Sequence, residues 1–181
     1  SVCRAFTDGP NEDLDTMALA LNGAVSAATE RVDIMTPYFI PPPALVVAMQ
    51  TAALRGVHVR VLLPGRSNLR FVDWATRNML GELLAFGVDI RFQPPPFAHS
   101  KLFVVDRHYA IIGSANIDPR SLRLNFELAA EIFCDATAGL LADHCDRMAA
   151  RSRAVMQSEV DERPLAVRVR DSACWLFSPY L

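Results

Sequence analysis

The chain has 181 residues, 51% of them hydrophobic, and 18 basic against 20 acidic side chains give a formal net charge of −2 with a pI near 6.1. That length buries one core but not two, so a single domain over residues 1–181 is expected. The charge balance supplies no basic field for holding nucleic acid, and no apolar run approaches the ~18 residues needed to span a bilayer.

Asp13 to Glu30 carries apolar residues at Leu14, Met17, Ala18, Leu21 and Val25, a helical stripe opening with acidic residues that suit its N-terminus. Val32 to Met35 reads as a strand ended by Pro37. Pro43 to Leu54 reads as a helix with proline in its first turn and Gly56 as its stop. Val57 to Leu63 is a strand, Asn68 to Phe86 a helix stopped by Gly87, and Val88 to Phe92 a strand running into Pro94-Pro95-Pro96. Within that helix Val72, Ala75, Met79, Leu83 and Phe86 recur at core-facing spacing. Two short β-branched runs follow, Leu102 to Val105 and Tyr109 to Ile112, then a strand from Leu128 to Phe133 and helices from Ala136 to Met156 and Leu165 to Phe177. Strand and helix alternate as far as Phe92, which predicts a three-layer α/β/α sandwich with a mixed, mostly parallel sheet. Neither an internal repeat nor a low-complexity segment is present.

Cys3, Cys134, Cys145 and Cys174 show no close pair and no zinc spacing, so they read as free, mostly buried thiols. No metal or cofactor is expected. His58, His108 and His144 read as surface histidines on a strand, a turn and a helix.

The only lysine, Lys101, stands between His99 and Asp106, and six further residues lead to Gly113-Ser114-Ala115-Asn116. Arginine there would keep the charge but lose the compact ammonium, a difference that matters at a phosphoryl oxygen. Strand alternation puts His99 and Lys101 on one face, and Ser114 and Asn116 on one face. An even hairpin loop, such as two residues with Val105 opposite His108, would turn all four the same way; an odd loop would separate them. Asp106 has the opposite parity and is expected to brace the hairpin by accepting hydrogen bonds, away from any substrate.

His99, Lys101, Asp106 and Gly113-Ser114-Ala115-Asn116 resemble the HxK(x)4D(x)6GSxN signature of the phospholipase D superfamily. Glu127 matches a downstream acidic residue of that family. Within it, Ala53-Leu54-Arg55-Gly56-Val57-His58-Val59-Arg60, Thr36-Pro37-Tyr38-Phe39-Ile40-Pro41, Asp118-Pro119-Arg120-Ser121-Leu122, Asn125-Phe126-Glu127 and Ser178-Pro179-Tyr180-Leu181 are similar to cardiolipin synthases. Asp8-Gly9-Pro10 departs from their more usual Ser-Gly-Pro.

The resemblance implies the C-terminal half of a two-lobed, membrane-anchored enzyme, with the anchor and a first HxK(x)4D copy upstream. It further implies a bacterial inner-membrane location for the whole protein, this chain itself being soluble and without the charged-then-apolar stretch of a secretory signal. Two halves would face each other, one histidine forming a phosphohistidine while the other serves as acid and then base. The sequence does not decide which part His99 plays, although the C-terminal histidine of two-lobed relatives is often given the acid role. Lys101 would supply charge, Ser114 and Asn116 neutral donors, and Glu127 a carboxylate to hold a histidine ring in the right tautomer. Gly113 and Asp106 would be structural. Tyr38, Phe39, Arg66 and Arg120 are candidates for lipid contact near the strand ends, although Arg120 could equally pair with an acidic residue.

The leading expectation is therefore a phosphatidyltransferase half, turning phosphatidylglycerol into cardiolipin and glycerol. Its expected partners are a phospholipid, a membrane surface, and the N-terminal half of the same protein or a second copy. Nucleic acid is not an expected partner. Two alternatives stay open: a phospholipase D or nuclease-type phosphodiesterase acting as a homodimer, and an inactive isolated half serving as an interaction unit.

Overall fold

Apolar residues that continue through both faces of a segment mark a central strand, and Arg31–Met35 (β2) and His58–Pro64 (β3) have that pattern, buried almost throughout. The structure, a computed structural model, describes residues 2–10 and 15–180. The expected start of the first helix at Asp13 and its first apolar position, Leu14, lie outside the described residues, as does Leu181. Besides β2 and β3, the strands are Val2–Asp8 (β1), Asp89–Gln93 (β4), Leu102–Val105 (β5), Tyr109–Gly113 (β6), Glu127–Phe133 (β7) and Arg153–Ala154 (β8). The helices are Thr16–Ala27 (α1), Pro43–Leu54 (α2), Arg70–Leu84 (α3), Pro119–Arg123 (α4), Asp135–Ala150 (α5), Gln157–Asp161 (α6) and Leu165–Trp175 (α7).

All eight strands form one mixed sheet in the order β1-β7-β6-β5-β2-β3-β4-β8. Three helices, α1, α2 and α3, bury Met17, Leu21, Leu45, Met49, Met79 and Leu83 against one face; α5 lays Ala138, Ala142, Cys145 and Ala149 on the other. The α/β/α sandwich is thus as the alternation implied. Its sheet is not mostly parallel. Only β2 with β3 and β3 with β4 run parallel, while the five other described pairings are antiparallel. The reason is connectivity: only the two helical crossovers, α2 and α3, join parallel strands. From β5 onward the strands are antiparallel: a three-residue turn joins β5 to β6, a loop carrying α4 joins β6 to β7, α5 leads to β8, and β1 adds itself antiparallel to β7 at the edge.

Other departures are local. The long helix expected to reach Met156 ends at Ala150, turns through Arg151 and Ser152, and pairs Arg153–Ala154 with β4. Phe86, placed by spacing in the core, lies beyond the last turn of α3 and is exposed, whereas Val72, Ala75, Met79 and Leu83 are buried. All four cysteines are free; Cys145 and Cys174 are buried, and Cys3 is exposed on the edge strand.

One buried charge cluster ties α5 to the sheet. Asp33 on β2 is wholly buried and accepts from Arg31 and Arg60 Nε (2.8 Å), and both arginines reach across to Asp146 on α5. These arginines hold the Asp146 carboxyl down at about 2. Pairing of this kind offsets the cost of desolvating the charges and fixes how α5 is seated.

Candidate active site

Antiparallel pairing decides which segments meet. Leu102 opens β5 opposite Met35, the last residue of β2, so His99 to Lys101 lie beside Thr36 to Tyr38. β6 ends next to the start of β5, and β7 starts next to the end of β6. His99, Lys101, Ser114, Asn116, Asp118 and Glu127 therefore gather at one end of the sheet.

The hairpin does not produce this gathering in the way expected. Val105 pairs with Tyr109, leaving a three-residue loop of Asp106, Arg107 and His108, with φ of 49° and 60° at Asp106 and Arg107. That odd loop puts Leu102 opposite Ile112, so strand alternation alone would turn Ser114 away from Lys101. The chain meets the requirement differently, by leaving the strand after Gly113. The Ser114 N–H donates to Leu128 O (3.0 Å), and the Leu128 N–H donates to Ser114 Oγ (3.1 Å). Glycine at 113 permits the close approach, since a Cβ there would stand 2.6 Å from Leu128 O.

His99 and Lys101 form one pair. The Lys101 ammonium lies 3.0 Å from His99 Nδ1 and 3.3 Å from Nε2, and donates to the His99 carbonyl (3.1 Å). Reaching both ring nitrogens, it leans against the ring and does not lie along one lone pair. Tyr38 and Phe97 flank the imidazole, with ring centroids 6.3 and 5.8 Å away. Surrounding protein, and then the Lys101 charge, lower the His99 pKa. Burial also lowers the Lys101 pKa, opposed by the carboxylates of Glu127 and Asp118.

Ser114 and Glu127 form a second pair. The Ser114 hydroxyl donates to Glu127 Oε2, while Asn125 Nδ2 donates to Oε1 (3.2 Å). This hydroxyl is engaged as donor and acceptor, which makes it a positioning group in this state. The Glu127 carboxylate makes no hydrogen bond to His99 among the described residues; it acts on the Lys101 charge. Asn116 is different. Its Nδ2 donates to Ser121 Oγ (3.0 Å), whereas its buried Oδ1 has no partner. Turning the amide over would instead leave N–H groups unpartnered, so in either orientation one end of the carboxamide has no protein partner.

Asp106 sits at the opposite end of β5. It accepts from Thr29 N and Oγ1, Glu30 N and Arg31 N, at 2.8 to 2.9 Å, so it braces the turn into β2. Those bonds outweigh burial and lower its pKa. Asp8, at the departure from Ser-Gly-Pro, is buried opposite Glu127 and accepts the Met17 N–H (3.1 Å) at the start of α1.

Of the lipid-contact candidates, Tyr38 and Arg120 line a cleft beside the site. Arg66 is exposed on the loop after β3 but does not line it. Phe39 is wholly buried in the core and cannot meet a lipid. The backbone there is extended and bridges to Ile117, so consecutive side chains alternate, Tyr38 outward and Phe39 inward. Sequence reasoning missed Asp118 as a member of the site. It caps α4 by accepting the Ser121 N–H (2.7 Å), and burial raises its pKa. The run Asp118-Pro119 is a helix-start signal that could have placed it.

This fold is that of known phospholipase D proteins. The structure superposes on Nuc, a phospholipase D family member from Salmonella typhimurium, with a TM-score of 0.72 at 21% identity, covering 86% of this chain and 99% of that one. Phosphatidylserine synthase from Haemophilus influenzae matches with a TM-score of 0.77 at 15% identity, over 99% of this chain and 47% of that one. Residues 21–149 match the family described as cardiolipin synthase, PLD-like domain. The chain is 36% identical to the major cardiolipin synthase ClsA of Bacillus subtilis and 33% identical to the cardiolipin synthase of Oceanobacillus iheyensis, in each case over 97% of its own length. It belongs to the cardiolipin synthase family of phospholipase D-like domains. It spans 36% of the length of those two relatives.

Proposed function

We propose that this chain is the C-terminal catalytic half of a phosphatidyltransferase that joins two phosphatidylglycerol molecules into cardiolipin and releases glycerol. The observation that carries the reading is an exposed imidazole with the chain's only lysine ammonium against it, beside a carboxamide with one end unused. In the first step a His99 nitrogen attacks phosphorus and the bond from phosphorus to the glycerol oxygen breaks. A histidine on the facing half donates its proton to that oxygen. A hydroxyl of the second lipid then forms the new P–O bond, the P–N bond breaks, and the proton returns to the facing histidine. Lys101 and Asn116 stabilise charge on the phosphoryl oxygens.

A lowered pKa favours the neutral, attacking form of the ring, and on that ground His99 is given the nucleophile's part. One imidazole cannot hold phosphorus and donate a proton in the same step, so this chain by itself turns over little unless it pairs. The full-length protein given phosphatidylglycerol should yield cardiolipin and glycerol, and an intact protein that releases no glycerol would end the reading.

A second reading, a hydrolase in which two copies supply the two histidines, is favoured by one observation: the Salmonella chain is matched over 99% of its length, so one such unit is a complete fold. It predicts phosphatidic acid in place of cardiolipin, and a dimer of the isolated chain.

Lys101→Met has a predictable sign. Removing a neighbouring cation makes the imidazolium easier to form, so the His99 pKa rises. If His99 must be neutral to attack, the acid limb of kcat/KM moves to higher pH while the plateau falls by about 10²- to 10³-fold. A lower plateau with an unmoved limb would mean that His99 is not the group titrating there.

A further inference from the structure

A cleft of about 490 Å³ opens beside the site, with Tyr38, Asn68, Asn116 and Asp118 in its wall together with Arg70 and Arg120. Part of its wall can bind hydroxyls: Tyr38, whose ring centroid stands 6.3 Å from that of His99, donates to Asn68 Oδ1 (2.8 Å). The two arginines come from different elements, Arg70 at the start of α3 and Arg120 on α4. Neither has an ion pair or side-chain hydrogen bond among the described residues; the same is true of Arg66, Arg147, Arg151 and Arg168, but Arg70 and Arg120 line one cleft. Two unpaired guanidiniums on one cleft, in a chain of net charge −2, mark a place for an anion. The same wall carries apolar side chains: Leu69 and Phe71 are exposed, and the Phe71 ring stands 5.9 Å from that of Phe177.

The cleft thus combines hydroxyl-binding groups, cations and apolar side chains. A phosphatidylglycerol offers the matching three: a diol, a phosphodiester and an acyl glycerol. We infer that this cleft is the subsite for the acceptor lipid, with Arg70 and Arg120 holding the phosphodiester that does not react and Tyr38 and Asn68 presenting the diol to the phosphoryl centre. The assignment rests on the transferase reading. It adds a second phosphate position, distinct from the one between His99 and Lys101, and gives Arg70 a part in selecting the acceptor.

The test compares two acceptors in the full-length protein. Labelled glycerol exchanging into phosphatidylglycerol is the reverse of the first step; its acceptor carries no phosphate. Cardiolipin formation needs the lipid acceptor. Arg70→Gln with Arg120→Gln should lower the ratio of cardiolipin formed to glycerol exchanged by about tenfold and raise the KM for phosphatidylglycerol in transfer. Lysine at both positions, which keeps the charge, should recover most of the ratio. An unchanged ratio, or exchange and transfer falling together, would overturn the subsite. Wild-type protein that exchanges no glycerol and makes no cardiolipin would overturn the transferase reading, and the subsite with it.

Discussion

His99→Ala in the full-length protein lowers turnover by about 10⁴-fold or more while the fold stands. The size follows from the proposed role: without the nitrogen no covalent intermediate could form, and the remaining groups would only stabilise charge around an unattacked phosphodiester. The fold stands because the ring is exposed and lies outside the core, and substitutions at such positions move stability by about 0.5 kcal/mol or less. Glycerol release and thermal unfolding, measured on the same preparation, separate the two effects. Turnover within about tenfold of wild type would place the chemistry elsewhere.

Asp106→Ala has the opposite signature. Four hydrogen bonds to one carboxylate are lost. The residue also occupies a left-handed conformation, φ 49°, that aspartate and asparagine adopt more readily than alanine. Charged hydrogen bonds count for ~1.5–3 kcal/mol each when sheltered, but most of these are exposed, so the expected loss is about 2–3 kcal/mol in all. Urea unfolding reads it directly. Asp106→Asn keeps the backbone conformation and one accepting oxygen while losing the charge and the bonds to the other oxygen, so it should cost less than alanine. The pH dependence has a fixed sign: the folded pKa is depressed, so the contribution is complete above the unfolded value of about 3.9 and is lost as pH falls through the lower, folded value. The wild-type advantage over Asp106→Asn should therefore shrink under acid conditions. Folded Asp106→Ala should retain kcat, because this carboxylate is at the far end of β5 from His99.

The contrast explains which parts of the molecule could be read in advance. His99, Lys101, Ser114 and Asn116 stood out because the chemistry of a phosphoryl group needs particular side chains at fixed separations, and spacing is visible in a sequence. Helices α2 and α3 and strands β2 to β5 were legible because burial imposes a period. Hairpin register was not. It depended on Asp106 and Arg107 both adopting positive φ, and arginine carries no signal for that conformation. β1 was missed because most of its residues are exposed at a sheet edge, where the apolar period fades. Tyr38 and Phe39 looked equivalent as neighbours after a proline; only the bridge to Ile117 shows that one faces the cleft and the other the core. The cleft arginines were half legible. Arg120 was among the expected lipid contacts, whereas Arg70 joins the cleft only through the packing of α3.

The central claim is that His99, Lys101 and Asn116 act on a single phosphoryl group. A crystal structure with inorganic phosphate or vanadate bound tests it most directly. The account predicts the anion between the His99 ring and the Lys101 ammonium, which have parted to admit it, with the Asn116 carboxamide within hydrogen-bond distance. An anion seated elsewhere, with the ammonium still resting on the imidazole, would contradict it.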